Sequence, residues 1–191
     1  MKHKLALFSS GSGSNAENIV RYFAHEKELE ISLILSNKPD AFVHERALKL
    51  GIPSFTFTPQ QFSEGTEPLK LMREYGVDFI VLAGFLLKVS APILQAFPSQ
   101  IINIHPALLP KYGGKGMYGD RVHQAVVEAK ETESGISIHY VNEHYDEGQI
   151  IFQARCQVLP ADTYREVAEK VHALEYEHFP RVIAEVLGIK G

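Results

Sequence analysis

Asp78–Ala83 (DFIVLA) is the stretch that most constrains the fold. It is a near-continuous apolar run, the pattern of a strand in the middle of a parallel sheet, which has to be covered on both faces. The sequence around it can supply that cover, because short β-rich runs alternate with helical patterns throughout the chain, as in α/β layer architectures. Strands are expected at Lys4–Ser9, Ile31–Ser36, Ser54–Thr58, Asp78–Ala83 and Gln100–Ile104. Helices are expected at Asn15–Ala24, Phe42–Leu50, Pro68–Tyr75 and Val89–Phe97, where Pro92 fits only in the first turn. Asn37-Lys38-Pro39-Asp40 has the chemistry of a turn, and Gly51 and Gly76 close helices. Beyond an amphipathic stretch at Arg121–Lys130, Ile136–Val141 and Ile150–Val158 read as a hairpin. Thr163–Leu187 is a long final helix that Pro180 should bend or interrupt. The expected fold is α/β: a single domain over residues 1–191 with a mostly parallel twisted sheet and helices on both faces. Its N-terminal half is Rossmann-like, and a C-terminal antiparallel hairpin precedes the last helix.

Composition narrows the function classes. With 45% hydrophobic and 22% charged residues, the 191-residue chain has the balance of a globular protein with a real core. A formal net charge of -4 offers no electrostatic reason for nucleic acid or an anionic membrane as partner. The single Cys156 can form neither an internal disulfide nor a zinc site, so a reducing, cytoplasmic setting is expected and no metal. The apolar stretch near the N-terminus, Leu5 to Phe8, is too short for a signal peptide, and no run is long enough to span a membrane.

Gly11-Ser12-Gly13-Ser14-Asn15 falls between the first strand and the first helix. Glycines permit a sharp turn there, and the free amides of the helix then face the crevice, where a phosphate is the natural occupant. Gly11-x-Gly13-x-x-Ala16 also satisfies a dinucleotide fingerprint, but the second strand ends in Ser36-Asn37-Lys38 without the acidic residue that would take the ribose hydroxyls. A tight turn with Asn15 as helix cap would equally satisfy the local backbone.

Asn103-Ile104-His105-Pro106-Ala107-Leu108-Leu109-Pro110 carries the chemistry. Asn103 and His105 are two apart on a strand and therefore project from one face, so an amide donor and an imidazole can reach one point. Open α/β sheets bind ligands at this carboxyl end. Asp146, on a later loop, would favour the charged imidazolium and push its pKa upward. A carboxamide that holds an oxyanion, a histidine that moves a proton and a carboxylate that tunes it suit acyl transfer. The other histidines read differently. His3, His25 and His44 are expected on the surface, His144 in an exposed loop, and His139 facing either the core or the site. His172 and His178, with Glu175 and Glu177, match no zincin spacing and read as a solvated helix face. Cys156 reads as a buried strand residue without a histidine partner.

The GSGSN loop, LAGFLLKVS, INIHPALLPKY and HYVNEHYDEGQII, in this order along nearly the whole chain, resemble the folate-dependent phosphoribosylglycinamide formyltransferases of purine synthesis. The Asn-His-Asp combination alone is also that of methionyl-tRNA formyltransferase and formyltetrahydrofolate deformylase. Both are longer, and the chain is expected to lack their extra domains. The resemblance implies the formyltransferase fold and 10-formyltetrahydrofolate as co-substrate. It also implies glycinamide ribonucleotide as the amine, no metal, and a monomer or homodimer. By motif, Asn103, His105 and Asp146 are the catalytic set, with His105 the proton donor. Gly13, Ser14 and Asn15 would hold the phosphate, and Glu175 the ribose. Leu86, Leu87, Lys88 and Val89 would line the folate pocket with Asn103, and the backbone of Val141, Asn142 and Glu143 through Asp146 would read the pterin.

Two departures stand out. Gln60–Met72 is short and lacks the arginine that helps many family members bind folate. Lys111–Gly119 (KYGGKGMYG) is long and glycine-rich, either a mobile lid that brings Lys115 near a phosphate or the folate tail, or a surface excursion. Two other functions share the same residues: formyl transfer to another amine, such as a nucleotide amino sugar, and a folate- or nucleotide-binding regulator.

Overall fold

The computed structural model describes residues 2–189. Its frame is one seven-stranded sheet in the order β3-β2-β1-β4-β5-β6-β7. Strands β1 (His3–Phe8), β2 (Leu29–Ser36), β3 (Ser54–Thr56), β4 (Phe79–Leu82) and β5 (Ile101–His105) run parallel. β6 (Glu133–Tyr140) is antiparallel to β5, and β7 (Ile150–Gln157) is antiparallel to β6. The chain steps from β1 outward to β2 and β3, then returns to the other side of β1 for β4 and β5. The crevice at the carboxyl ends of β1 and β4 is therefore the topological switch point, where a doubly wound sheet leaves room for a ligand.

Alternation along β1 shows how both faces are covered. Leu5 and Leu7 belong to one core with Ile34, Val81 and Ile102, packed under α1 (Ser14–Tyr22), α2 (Val43–Leu50) and α7 (Tyr164–Val186). Ala6 and Phe8 belong to the other, with Leu33, Leu35, Ile80 and Leu82 beneath α3 (Pro59–Glu64), α4 (Thr66–Glu74) and α5 (Ala91–Ala96). Phe8, Phe57, Phe62 and Phe85 form an edge-and-stack cluster on this second face, with neighbouring ring centroids 5.0–6.4 Å apart. Phe85 thereby ties the crevice to the core.

Three local results differ from expectation. Helix α3 adds to the expected elements: Thr58 accepts from the Gln61 amide while the Gln61 side chain accepts from the Thr58 amide, a capping box with Pro59 in the first turn. Pro180 does not interrupt α7, which continues from Tyr164 to Val186. A proline lacks the N–H that would bond the carbonyl four residues back. That carbonyl, on Tyr176, instead accepts from Asn18 Nδ2 on α1 at 3.0 Å, so the missing bond is replaced across the helix–helix contact. Asn15 is not a helix cap: Gly13 holds that position with φ 71°, and Asn15 lies inside the first turn.

Gly135 makes the β6–β7 pair possible, because a Cβ there would meet the Ala154 carbonyl oxygen at 1.9 Å. Gly135→Ala should therefore cost about 1–3 kcal/mol, as overpacking against backbone does, read as a lower urea midpoint at unchanged slope. Asn18→Ala, which orphans the Tyr176 carbonyl, should cost about 0.5–1.5 kcal/mol in the same measurement.

Candidate active site

A cavity of about 580 Å³ opens at the switch point. Its walls come from the ends of β1, β4 and β5, from the 114–119 loop with the start of helix α6 (Asp120–Glu128), and from α7. Gly11–Asn15 forms one side. Gly13 is needed there twice over: its φ is positive, and a Cβ would lie 2.4 Å from Val43 Cγ2 on α2. The Arg46 guanidinium donates to the Ser12 carbonyl at 2.8 Å and pairs with Glu17, fixing the loop from behind. No sequence pattern singled out Arg46. Ser10 braces the next wall, its hydroxyl accepting from the Leu86 amide at 2.9 Å and donating to Asn37 Oδ1 at 2.6 Å.

β5 delivers Asn103 and His105 to the cavity, and Asp146 arrives from the loop between β6 and β7. His105 is 4% exposed. Its Nε2 lies 2.7 Å from the Tyr112 carbonyl, which can only accept, so that nitrogen carries a proton. Nδ1, the titrating nitrogen, faces Asp146 Oδ2 at 3.6 Å. Burial lowers the His105 pKa and outweighs the opposing pull of the Asp146 charge. The expected upward shift is thus corrected: Asp146 acts in the anticipated direction, but desolvation wins, and the resting ring is neutral at neutral pH. Burial also pushes the Asp146 carboxyl upward, yet His139, His105 and the Gly114 amide more than offset this and hold it below the ordinary range. Gly114 donates to Oδ2 at 2.9 Å.

His139, which alternation along its strand left facing either core or site, is buried within the site. Its Nδ1–H donates to the Tyr140 carbonyl at 2.8 Å, leaving Nε2 to accept from Asn103 Nδ2 at 3.1 Å. The same nitrogen is 3.7 Å from Asp146 Oδ1. Asn103 is opposite His139 in the β5–β6 register, so the antiparallel pairing aims the carboxamide. Ser137, two residues before His139 and fully buried, holds the Ala107–Pro110 segment by donating to the Ala107 carbonyl at 2.7 Å and accepting from the Leu109 amide at 2.9 Å.

Glu175 is 5% exposed and accepts from Asn15 Nδ2 at 2.9 Å, bringing the last helix to the glycine loop. His172 donates to the same Glu175 oxygen at 2.9 Å. His172 and Glu175 both line the cavity; the expected solvated face holds for the exposed His172 and Glu177 and is corrected for the buried Glu175, because α7 runs over the crevice there. A smaller recess, lined by Leu86, Leu87, Lys88, Val89, Val141 and Asn142, meets the main cavity at Asn103 and Asp146. Glu143 is outside it, its carboxylate exposed and paired with His144. Gly114–Gly119 lines the main cavity, so the KYGGKGMYG segment is part of the site wall. His3, His25 and His144 carry partly or fully exposed side chains, and Cys156 is half-buried on β7. Among the described residues no group of three or more His, Cys, Asp or Glu is arranged to hold a metal ion, and no helix is long and apolar enough to cross a membrane.

A doubly wound sheet with a glycine turn at its switch point, and a buried amide, imidazole and carboxylate converging beside it, defines a group-transfer site. The family model described as formyl transferase matches residues 3–183. The chain is 42% identical to the chloroplastic phosphoribosylglycinamide formyltransferase of Arabidopsis thaliana, over 98% of this chain and 65% of that protein. It is 36% identical to the phosphoribosylglycinamide formyltransferase of Bacillus subtilis (strain 168), over 98% of this chain and 96% of that one. The crystal structure of the phosphoribosylglycinamide formyltransferase of Streptococcus pneumoniae TIGR4 superposes with a TM-score of 0.85 at 33% identity, covering 98% of this chain and 99% of that one. The chain belongs to the formyl transferase family. It spans just under two thirds of the plant relative's length.

Burial sets the His105 pKa against Asp146 and, more weakly, Glu175, so Asp146→Asn removes the larger carboxylate pull and lowers that pKa further. A histidine-selective NMR titration should show the His105 midpoint moving to lower pH in the variant. An upward shift would reverse the assignment of causes.

Proposed function

We propose that the protein transfers the formyl group of 10-formyltetrahydrofolate to the amine of 5-phosphoribosylglycinamide, giving 5-phosphoribosyl-N-formylglycinamide and tetrahydrofolate in purine biosynthesis. The observation that carries this reading is the junction of two recesses at Asn103 and Asp146, one with a glycine turn suited to phosphate and one with an apolar slot suited to a flat heterocycle. The names of the plant and Bacillus relatives support the same substrate.

In this proposal Gly13, Ser14 and Asn15 receive the phosphate and Glu175 the ribose. Leu86–Val89 and the Val141–Asn142 backbone hold the folate. The amine nitrogen attacks the formyl carbon, a C–N bond forms, and the formyl oxygen becomes an oxyanion. Asn103 Nδ2 keeps one N–H free beyond its bond to His139, and that N–H is the oxyanion donor. His105 supplies the second interaction through Nε2–H, the formyl oxygen taking the place of the Tyr112 carbonyl as acceptor. A proton taken up at Nδ1 then makes an ion pair with Asp146, so the developing charge is met by a charged ring. The attacking nitrogen loses a proton, N10 of the folate gains one, and the C–N10 bond breaks. His105 and Asp146 relay that proton.

The assay is a spectrophotometric one with 10-formyltetrahydrofolate and glycinamide ribonucleotide, run beside other amines. Asn103→Ala should cost about 3 kcal/mol of barrier, roughly a hundredfold in kcat, with the thermal midpoint little changed. Asp146→Asn should lower kcat sharply. If protonated His105 is the active form, activity falls as pH rises through its pKa, and in the variant that falling limb moves to lower pH. Full turnover in both variants would overturn the mechanism. Binding of folate without transfer to any amine would favour a regulator.

A further inference from the structure

Across from the glycine loop, the cavity wall carries two histidines that formyl transfer as described above does not use. His123, on α6, is 2% exposed, and its Nδ1 has no hydrogen-bond partner among the described residues. His172, on α7, has a side chain 50% exposed, and its ring centroid is 6.3 Å from that of His123. Glu175 Oε2 joins His172 to Asn15, with a 2.9 Å bond on each side, so this wall is one hydrogen-bonded step from the loop that would receive a phosphate.

The charges around the cavity pose a problem for a phosphorylated ligand. Among its described lining residues Lys115 is the one permanent cation, against the carboxylates of Asp120, Asp146 and Glu175. The amides of the glycine loop attract a phosphate dianion, but the side-chain charges oppose it, and proton uptake by the wall would offset that opposition. Imidazoles are the side chains whose ordinary pKa allows a change of charge near neutrality. His105 already faces the Tyr112 carbonyl and Asp146. The other two lining histidines are His123 and His172.

We propose that His172 and His123 are the cationic wall that receives the phosphate-bearing end of the substrate, and that binding there is coupled to proton uptake. The proposal rests on the formyltransferase reading only for the identity of the phosphorylated amine. The groups around each ring set the order of protonation. His172 faces Glu175 and Tyr176 on its own helix and Asp120 and His123 from α6; its bond to Glu175 raises its pKa. His123 faces Asp120 on its own helix, His172 and Glu175 from α7, and His105 from β5; burial first, then the charge of His172, lowers its pKa. His172 is therefore protonated first, and His123 takes its proton when an anion arrives. An anion favours the charged form and raises the pKa, so affinity falls as pH rises through the free-state value. An unphosphorylated amine brings no charge to offset, which makes the pair a determinant of specificity.

The test is isothermal titration of the full chain with ribose 5-phosphate near pH 7, in two buffers of different ionisation enthalpy. Sulfate, which stays a dianion throughout, separates protonation of the protein from that of the ligand, whose own second pKa is about 6. Net proton uptake is expected for both ligands. His123→Asn should abolish most of the uptake, and His172→Gln should weaken binding about tenfold, the loss of one charge-assisted contact. Both effects should appear in the KM for the amine and leave the KM for folate in place, with circular dichroism confirming the fold. Absence of binding to the wild type, binding without proton uptake, or unchanged affinity and uptake in both variants would overturn the proposal. Proton-linked binding in a protein that formylates no amine would leave this inference standing and remove the formyltransferase reading.

Discussion

Central strand β1 is the constraint on which the rest depends. It is buried on both faces, with Leu5 and Leu7 turned to one core and Ala6 and Phe8 to the other, so helices have to cover both sides. The chain must then leave β1 for β2 on one side and return for β4 on the other. Two connections departing in opposite directions cannot both close over the same strand ends, and the gap between them is the cavity. The glycine turn, the Ala83–Leu86 segment and the end of β5 are all brought there by that single topological fact.

Within the cavity, opposed electrostatic effects hold the site near a balance. Burial disfavours a charged His105, whereas Asp146 and the Tyr112 carbonyl favour it. Asp146 in turn is kept ionised by the histidines and the Gly114 amide despite its own desolvation. A ring held neutral at rest, with a carboxylate 3.6 Å away, has little to overcome when negative charge develops beside it. A fully charged resting pair would have its stabilisation already in the ground state, where it contributes nothing to the rate.

Legibility in the sequence varied with how local the controlling physics was. The strands followed from apolar runs, and Pro92 fell in the first turn of its helix as its ring geometry requires. Helix α3 was also locally encoded, through Thr58, Pro59 and Gln61, but its pattern is brief and carries little apolar periodicity. Pro180 alone predicts a break, as proline does in an isolated helix. The exception comes from Asn18, 162 positions away in the chain, and from the burial of that stretch against α1. The burial of Glu175 is not legible in the same way, because spacing along α7 shows one helix and not the crevice that the helix crosses.

The sequence by itself determined the layer architecture, the strand carrying Asn103 and His105 on one face, and the glycine turn ahead of the first helix. These depend on side-chain period and backbone sterics over a few residues. Only the tertiary structure decided that His139 aims Asn103, that Glu175 meets Asn15, and that burial outweighs Asp146 in setting the His105 proton. Those outcomes depend on desolvation and on contacts between elements far apart in the chain, and a linear pattern carries neither.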